Sequence, residues 1–205
     1  KFLIEGEEEV GGPSLDSFIE QNKKLLKCGI CVISDSDAQS PTKPQFYYGL
    51  RGLVYTQIEL STMPKDVHSG IYGGNIPNVA IELANIISKL KDEKTQKVLI
   101  PGFYDDVRKI SIKEQESLKK SLFNAESVLA ETGVKQTLGL LDKSVVERGG
   151  AQPTLDINGI HSGYIGEGPK TIIPAKASAK ISMRIVPNQT SDEIAEKFIN
   201  YVKSI

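Results

Sequence analysis

The chain has 205 residues, of which 39% are hydrophobic and 25% are charged, a composition typical of a globular protein rather than a disordered one. Its 25 lysines and arginines nearly balance its 26 aspartates and glutamates, so the charge favours neither nucleic acid nor an anionic membrane as a partner. No apolar run approaches the ~20 residues of a membrane span, and the apolar start runs into glutamates instead of a signal-peptide core. We therefore expect a cytoplasmic protein that recognises its ligand locally.

The first part of the chain has the pattern of a strand, a helix and a second strand. Residues 2–4 are a short apolar run, Ser14 precedes an amphipathic helical stretch, and residues 30–33 are a second apolar run. Continuous apolar strands joined by a helix predict a parallel βαβ unit buried on both faces. Cys28 and Cys31 lie at the second run. We expect them to be core thiols, because no second cysteine pair completes a zinc or redox motif.

Acidic residues follow both predicted strands. Glu7, Glu8 and Glu9 come after the first strand, and Asp35 and Asp37 come after the second. Ligands of parallel sheets bind beyond the carboxyl ends of the strands, and adjacent carboxylates are costly to hold together unless a cation neutralises them. These residues are therefore candidate ligands of a hard or borderline metal ion. Taken alone, a charge run of this kind is also typical of a solvated acidic turn.

A stretch rich in Pro, Ser and Gln between residues 38 and 46 predicts a domain boundary, which we place between residues 45 and 46. The remainder has the order strand, helix, insertion, strand, strand, helix, which is a split βαβ arrangement without its last strand. The predicted strands are the segments of alternating polarity at residues 53–60, 155–158 and 179–185. One predicted helix has Pro77 in its first turn, and the final helix begins with a capping box at Thr190 and Glu193. The insertion covers residues 98–146 and contains a helix that begins with a capping box at Ser111 and Glu114. An amphipathic helix at the very end favours a chain cut from a longer protein.

Arg184 lies on the polar face of the last predicted strand. Alternation places it with Lys180 and Ser182, opposite the apolar side chains of the same strand. The residue is therefore a candidate ligand-binding group, or a salt-bridge partner on a solvated sheet face.

Six short motifs are distributed along nearly the whole chain. The first three are Glu5-Gly6-Glu7-Glu8-Glu9-Val10-Gly11, Ile33-Ser34-Asp35 and Tyr48-Gly49-Leu50-Arg51-Gly52. The other three are Asp66-Val67-His68-Ser69-Gly70-Ile71-Tyr72-Gly73-Gly74, Lys170-Thr171-Ile172-Ile173-Pro174 and Ser182-Met183-Arg184-Ile185-Val186-Pro187. With these motifs in register, the chain resembles the dizinc metallopeptidases of the aminoacylase, carnosine dipeptidase and glutamate carboxypeptidase type. Within that family it is most similar to the cytosolic dipeptidases.

This resemblance implies a fold of the α/β class and a division into two domains. Residues 1–45 would be a fragment of the catalytic metallopeptidase domain with its parallel sheet. Residues 46–205 would be a ferredoxin-like α+β dimerisation (lid) domain with an insertion, incomplete at its C-terminus. The resemblance also implies a homodimer formed through the lid, and two zinc ions in the complete protein, for which other divalent metals could substitute.

For the metal site, the resemblance implies that Glu8 is the general base, that Glu9 is a ligand of one zinc ion and that Asp35 is a ligand of the other. The family's first metal ligand comes from a His-x-Asp motif, but the two histidines here, His68 and His161, are each followed by Ser-Gly. A bridging aspartate and a late histidine ligand are also unmatched. We therefore expect this chain to hold an incomplete site, with the other ligands encoded outside it.

For the substrate, the resemblance implies that His68 reaches into the partner subunit's site and stabilises the oxyanion, that Arg184 holds the substrate's carboxylate, and that Thr171 makes a weaker carboxylate contact. The implied reaction is hydrolysis of the amide bond of a dipeptide or a similar substrate with a free carboxylate. An N-acyl amino acid is the alternative substrate within the same family. For this chain alone, the alternative is a non-catalytic dimerisation module.

Overall fold

The computed structural model describes residues 1–35, 40–43, 45, 47–140 and 142–205. The chain divides into two compact units, Lys1–Asp37 and Ala38–Ile205, and each unit is described by itself. No helix in these described ranges is long and apolar enough to cross a membrane.

The first unit is helical. A single 3₁₀ turn spans Glu8–Val10, and two short helices follow, α1 (Leu15–Gln21) and α2 (Lys23–Leu26). The predicted helix is therefore present, but it is interrupted at Asn22, whose N–H bonds back to the carbonyl oxygen of Phe18 at 3.0 Å.

The expected parallel βαβ arrangement is wrong for this unit, because residues 1–35 contain no strand. Phe2 is 99% exposed and Ile30 is 82% exposed, so neither apolar run is buried. A strand needs neighbours that satisfy its backbone hydrogen bonds, and these residues supply none. For the same reason Cys28 and Cys31, which we expected in a core, are exposed free thiols.

A three-stranded antiparallel sheet forms the centre of the second unit. The strands of this unit are β1 (Gly52–Ser61), β2 (Val67–His68), β3 (Thr154–Ser162), β4 (Ile172–Ile173) and β5 (Lys176–Ile185). The sheet has the order β1-β5-β3, while β2 and β4 pair with each other in a separate two-stranded sheet. β5 is central, and it pairs with β1 along its full length, from Gly52 opposite Ile185 to Ser61 opposite Lys176.

Helices of the second unit complete its core. They are α3 (Ser69–Tyr72), α4 (Val79–Ser88), α5 (Ile112–Leu118), α6 (Ala125–Thr132), α7 (Val145–Gly150) and α8 (Ser191–Ser204). Leu83 of α4 and Phe198 of α8 are buried in one cluster with Ile181 and Met183 of β5. The order strand, helix, insertion, strand, strand, helix is therefore present, and the polar residues of β5 face away from the helices because side chains alternate along a strand.

Two local expectations need adjustment. Pro77 precedes the first turn of α4, because Asn78 is the cap residue and its side chain accepts the N–H of Ala80 at 3.0 Å. The predicted insertion also contributes to the core at its start, where Val98 and Phe103 are buried. The sequence-based interpretation missed this, since residues 98–103 have neither a helical nor a strand period.

The expected helix after Ser111 is present with a break. The capping box of Ser111 and Glu114 opens α5, and α6 ends at Gly133, whose φ of 71° is favourable for glycine alone among common residues. Between these helices the backbone turns at residues 119–124.

Glu114 also connects the insertion to the segment that enters β1. Arg108 donates two hydrogen bonds to its carboxylate, from Nη1 to Oε2 at 3.0 Å and from Nη2 to Oε1 at 2.6 Å. The Tyr48 hydroxyl donates a third, to Oε1 at 2.8 Å. These bonds to the charged form, first from Arg108 and then from Tyr48, lower the pKa of Glu114 to about 2. The ionised carboxylate thus holds α5 against the chain just before β1.

This contact predicts a specific pH dependence of stability. The pKa of Glu114 lies near 4.5 when unperturbed and near 2 in the folded chain, so its stabilisation is present above the higher value and is lost as the pH falls toward the lower one. We expect the free energy of unfolding in urea to fall less steeply in Glu114→Gln than in the wild type over this window. Glu116→Gln removes the same charge from an exposed position of α5 and should match the wild type; equal slopes for all three proteins would contradict the assignment.

Candidate active site

The glycine-rich segment forms a protruding tip at one end of the sheet. We call it the glycine-rich tip, and it consists of residues 66–75 together with residues 170–175. In it β2 and β4 pair antiparallel, with His68 opposite Ile172. The N–H of Ser69 donates to the carbonyl oxygen of Thr171 at 3.1 Å. The backbone therefore brings two of the sequence-predicted site residues, His68 and Thr171, side by side.

The imidazole of His68 is held through both of its nitrogens. Nδ1 accepts the backbone N–H of Gly70 at 3.0 Å, and Nε2 lies 3.1 Å from the hydroxyl oxygen of Thr171. Because a backbone N–H can only donate, Nδ1 must be the acceptor, so the neutral ring carries its proton on Nε2. Nε2–H then donates to Thr171, whose own hydroxyl hydrogen stays free to point outward. Both residues are exposed, so the free hydroxyl hydrogen of Thr171 is available at the surface of the tip.

Asp66 anchors the tip to the sheet. Its Oδ1 accepts the N–H of Ala175 at 2.8 Å, and the carbonyl oxygen of Ala175 accepts the N–H of Thr62 at 3.1 Å. Sequence reasoning left open whether Asp66 orients the imidazole or caps a turn. The described contact is with the backbone of Ala175, so Asp66 fixes the tip and reaches His68 only indirectly.

Gly70 limits the space around the His68 ring. The sequence analysis did not single it out, although it lies in the motif at residues 66–74. A Cβ at this position would lie 2.9 Å from Cε1 and 3.1 Å from Nδ1 of the His68 ring. Any side chain would therefore push the imidazole from its place. The only signal in the sequence was a glycine two residues after the histidine, which is too common to be specific.

Arg184 lies at the other end of the sheet. It pairs with Leu53 of β1 and with Thr154 of β3, and it is exposed on the face opposite the helices, as the alternation predicted. It lies eight positions along β5 from Lys176, which is next to the glycine-rich tip, and this corresponds to about 26 Å of strand. The structure thus unites His68 with Thr171 and keeps Arg184 away from them.

The acidic residues of the first unit are exposed. The N–H of Gly11 closes the 3₁₀ turn by donating to the carbonyl oxygen of Glu8 at 2.9 Å, and Gly11 has a φ of 88°. Oε2 of Glu7 accepts the N–H of Ser14 at 3.2 Å, so Glu7 binds the start of α1. Glu9 and Asp35 have exposed side chains, and Asp37 lies outside the described residues.

These carboxylates do not form a complete metal site. Across the described residues, no three side chains of the His, Cys, Asp and Glu types lie close enough to hold a metal ion. A protein zinc site needs at least three such ligands, and Glu9 and Asp35 are two. The described residues therefore do not fit a bound zinc ion by themselves.

Comparison with known proteins finds relatives that are named as dipeptidases. The chain is 35% identical over 203 residues to a Cys-Gly metallodipeptidase of Candida albicans, covering 98% of this chain and 42% of that protein. It is 29% identical to a human Beta-Ala-His dipeptidase, covering 100% of this chain and 41% of that protein. A solved dipeptidase structure from Saccharomyces cerevisiae is similar with a TM-score of 0.81 at 32% identity, covering 97% of this chain and 42% of that one. The chain thus spans about two-fifths of the length of these relatives.

The family match covers most of the second unit. Residues 48–205 match the model of the peptidase dimerisation domain of the M20 peptidases. This range contains the antiparallel sheet, the glycine-rich tip and Arg184. The chain therefore belongs to the M20 peptidase family through its dimerisation domain.

Proposed function

We propose that this chain is part of a metal-dependent hydrolase that cleaves the amide bond of a dipeptide or a similar substrate with a free carboxylate. The relatives named as Cys-Gly and Beta-Ala-His dipeptidases support this substrate class. The observation that carries the proposal is the 3.1 Å contact between His68 Nε2 and the Thr171 hydroxyl at an exposed tip. This contact leaves the Thr171 hydroxyl hydrogen free, and the Nε2–H of His68 becomes a second donor when it turns from Thr171; such donors suit the oxyanion that develops when an amide carbonyl is attacked.

In the proposed reaction, Glu8 takes a proton from the attacking water and passes it to the leaving amine. Glu9 would hold one ion of a dizinc site and Asp35 the other, and such a site needs further ligands besides these two carboxylates. The chemistry that zinc supplies when bound is polarisation of the carbonyl and activation of water. Arg184 holds the substrate's carboxylate, because its planar guanidinium donates two parallel hydrogen bonds.

The separation along β5 supports a site shared between two chains. A dipeptide spans at most about 7 Å, whereas His68 and Arg184 lie toward opposite ends of a strand segment of about 26 Å. One substrate bound to Arg184 is therefore out of reach of His68 in the same chain. We propose that His68 acts in the site of a partner subunit, and that the dimerisation domain, as a ferredoxin-like lid, brings it there.

Two further assignments belong to the same proposal. Residues 1–45 are assigned to the catalytic domain, and the protein is assigned to the cytoplasm by its resemblance to cytosolic dipeptidases.

An N-acyl amino acid deacylase is the second candidate function. Comparing hydrolysis of Gly- or Ala-containing dipeptides with that of N-acetyl amino acids distinguishes a dipeptidase from a deacylase. By itself this chain is proposed to be a non-catalytic dimerisation module, in line with its incomplete ligand set.

Replacing the proposed base tests the proposed function. In the intact protein, we expect Glu8→Gln to lower kcat for a dipeptide by about 10²- to 10⁴-fold, because the amide cannot accept the proton of the attacking water. Glu7→Gln is the matched control, since its amide oxygen can still accept the N–H of Ser14. Metal content is measured for each protein. Turnover at the wild-type rate in Glu8→Gln, with normal metal content, would remove Glu8 from this role.

Mixing two inactive variants tests the shared site. Dimers of His68→Ala with Arg184→Ala contain one site with both defects and one site with neither. After random exchange of subunits, half of the dimers are mixed, so we expect activity to return to about one quarter of the wild-type value. If His68 served its own chain, every site would keep one defect and the mixture would stay inactive.

The position of the imidazole is tested by Gly70→Ala. The new Cβ would lie 2.9 Å from Cε1 of His68, and a displacement of this kind is expected to lower kcat by about 10- to 100-fold. Gly150→Ala at the end of α7 is the control, because its Cβ would meet nothing within 4 Å. Both variants should unfold at the wild-type temperature. A Gly70→Ala protein with full kcat would show that the ring position does not matter.

A further inference from the structure

Arg51 belongs to the motif at residues 48–52, to which the proposed reaction assigns no role. It comes directly before β1, whose first two residues, Gly52 and Leu53, pair with Ile185 and Arg184. Because side chains alternate along extended chain, Arg51 lies on the same face as Leu53 and therefore on the same face as Arg184. Two arginines thus converge at one end of the sheet, on the face turned away from the helices.

The guanidinium of Arg51 has unused hydrogen-bonding capacity. Its Nη1 is buried, yet no acceptor among the described residues lies within hydrogen-bond distance of it. Across the described ranges, no carboxylate lies within salt-bridge distance of Arg51 or of Arg184. Buried donors in folded proteins nearly always have a partner. Turning this nitrogen toward an incoming anion would therefore break no hydrogen bond.

The charges around Arg51 also favour an incoming anion. Partial burial lowers the pKa of Arg51, and the neighbouring positive charge of Arg184 lowers the pKa further. Asp156 on β3 acts in the opposite direction but more weakly. It is exposed and lies opposite Ser182, one step along the same face from Arg184. Two arginines therefore lie near a single exposed carboxylate, and a bound carboxylate would relieve their mutual repulsion.

We propose that Arg51 is a second substrate-binding arginine and that it forms, with Arg184, a two-arginine clamp for the substrate's free carboxylate. This inference rests on the proposed function, which assigns that carboxylate to Arg184 alone. The clamp makes the free carboxylate a requirement for binding, since a neutral amide in its place would leave two adjacent cations unneutralised. Arg51 thereby becomes a determinant of specificity for substrates with a free carboxylate.

The test uses a ligand that cannot be hydrolysed. Propionate carries the carboxylate without an amide bond, and propionamide is its neutral counterpart of the same shape. Binding to the intact protein is followed by the NMR signals of arginine Nε–H groups, which report weak binding. We expect propionate to bind Arg51→Gln at least about tenfold more weakly than the wild type, because a charged hydrogen-bonding group is lost. Propionamide should not bind measurably to either protein.

Two further variants distinguish the clamp from general charge or folding effects. Lys180→Gln removes the same charge from the same face of β5, four positions from Arg184, and should leave the propionate affinity unchanged. Asp156→Asn removes the counter-charge and should strengthen propionate binding by about two- to fivefold. An increase cannot come from damaged folding. An unchanged affinity in Arg51→Gln, or a loss of the same size in Lys180→Gln, would overturn the clamp.

Kinetics with a dipeptide separates failure of the clamp from failure of the proposed function. If the intact protein hydrolyses dipeptides and Arg51→Gln raises KM about tenfold or more with little change in kcat, both proposals stand. If dipeptides are cleaved and the variant keeps the wild-type KM, the clamp is wrong and the proposed function stands. If no dipeptide is cleaved but propionate binding still depends on Arg51, the anion clamp stands and the proposed function is wrong.

Discussion

The pairing of β5 with both of its neighbours is the constraint on which the arrangement of the second unit depends. β5 is bonded to β1 along one edge and to β3 along the other, so its register cannot shift without breaking both ladders. A shift by one residue would turn the buried Ile181 and Met183 to solvent and bury the charge of Arg184. The core therefore fixes the face on which Arg184 stands, and the length of β5 fixes its distance from the glycine-rich tip.

The distance between Arg184 and the glycine-rich tip suggests a physical reason for dimerisation in this family. In a monomer, His68 and Arg184 lie at opposite ends of a stiff sheet, so one small substrate could not contact both of these proposed site residues. A second copy related by a two-fold axis can bring the tip of one chain to the arginine end of the other. In the proposed shared site, the dimer would contribute to the chemistry as well as to stability. The tip is anchored by the Asp66 carboxylate, which accepts the N–H of Ala175, and by the carbonyl oxygen of Ala175, which accepts the N–H of Thr62; such bonds suit an element that must keep its shape away from the core.

Local signals in the sequence predicted local structure well, whereas predictions failed for elements that need pairing partners far away in the sequence. The capping box at Ser111 needs only four neighbouring residues, and the alternation of β5 is a property of one strand, so both could be predicted. The parallel strands expected at residues 2–4 and 30–33 depend on neighbouring strands, and the described residues of the first unit supply none. The contact of His68 with Thr171 joins residues 103 positions apart, and no spacing rule predicts it. The motif resemblance did place both residues in the candidate site, but it could not give their geometry.

The acidic turn illustrates how neighbours in sequence can serve different tasks. Successive residues of a 3₁₀ turn project about 120° apart, so Glu8 and Glu9, which both lie in the turn Glu8–Val10, point in different directions. Two carboxylates arranged in this way cannot chelate one ion together, but one can approach a water while the other approaches a metal. Glu7 is engaged with the N–H of Ser14, which fixes the turn to α1. The three acids of the turn are therefore not equivalent, and their different directions are consistent with the proposal that Glu8 and Glu9 have different roles.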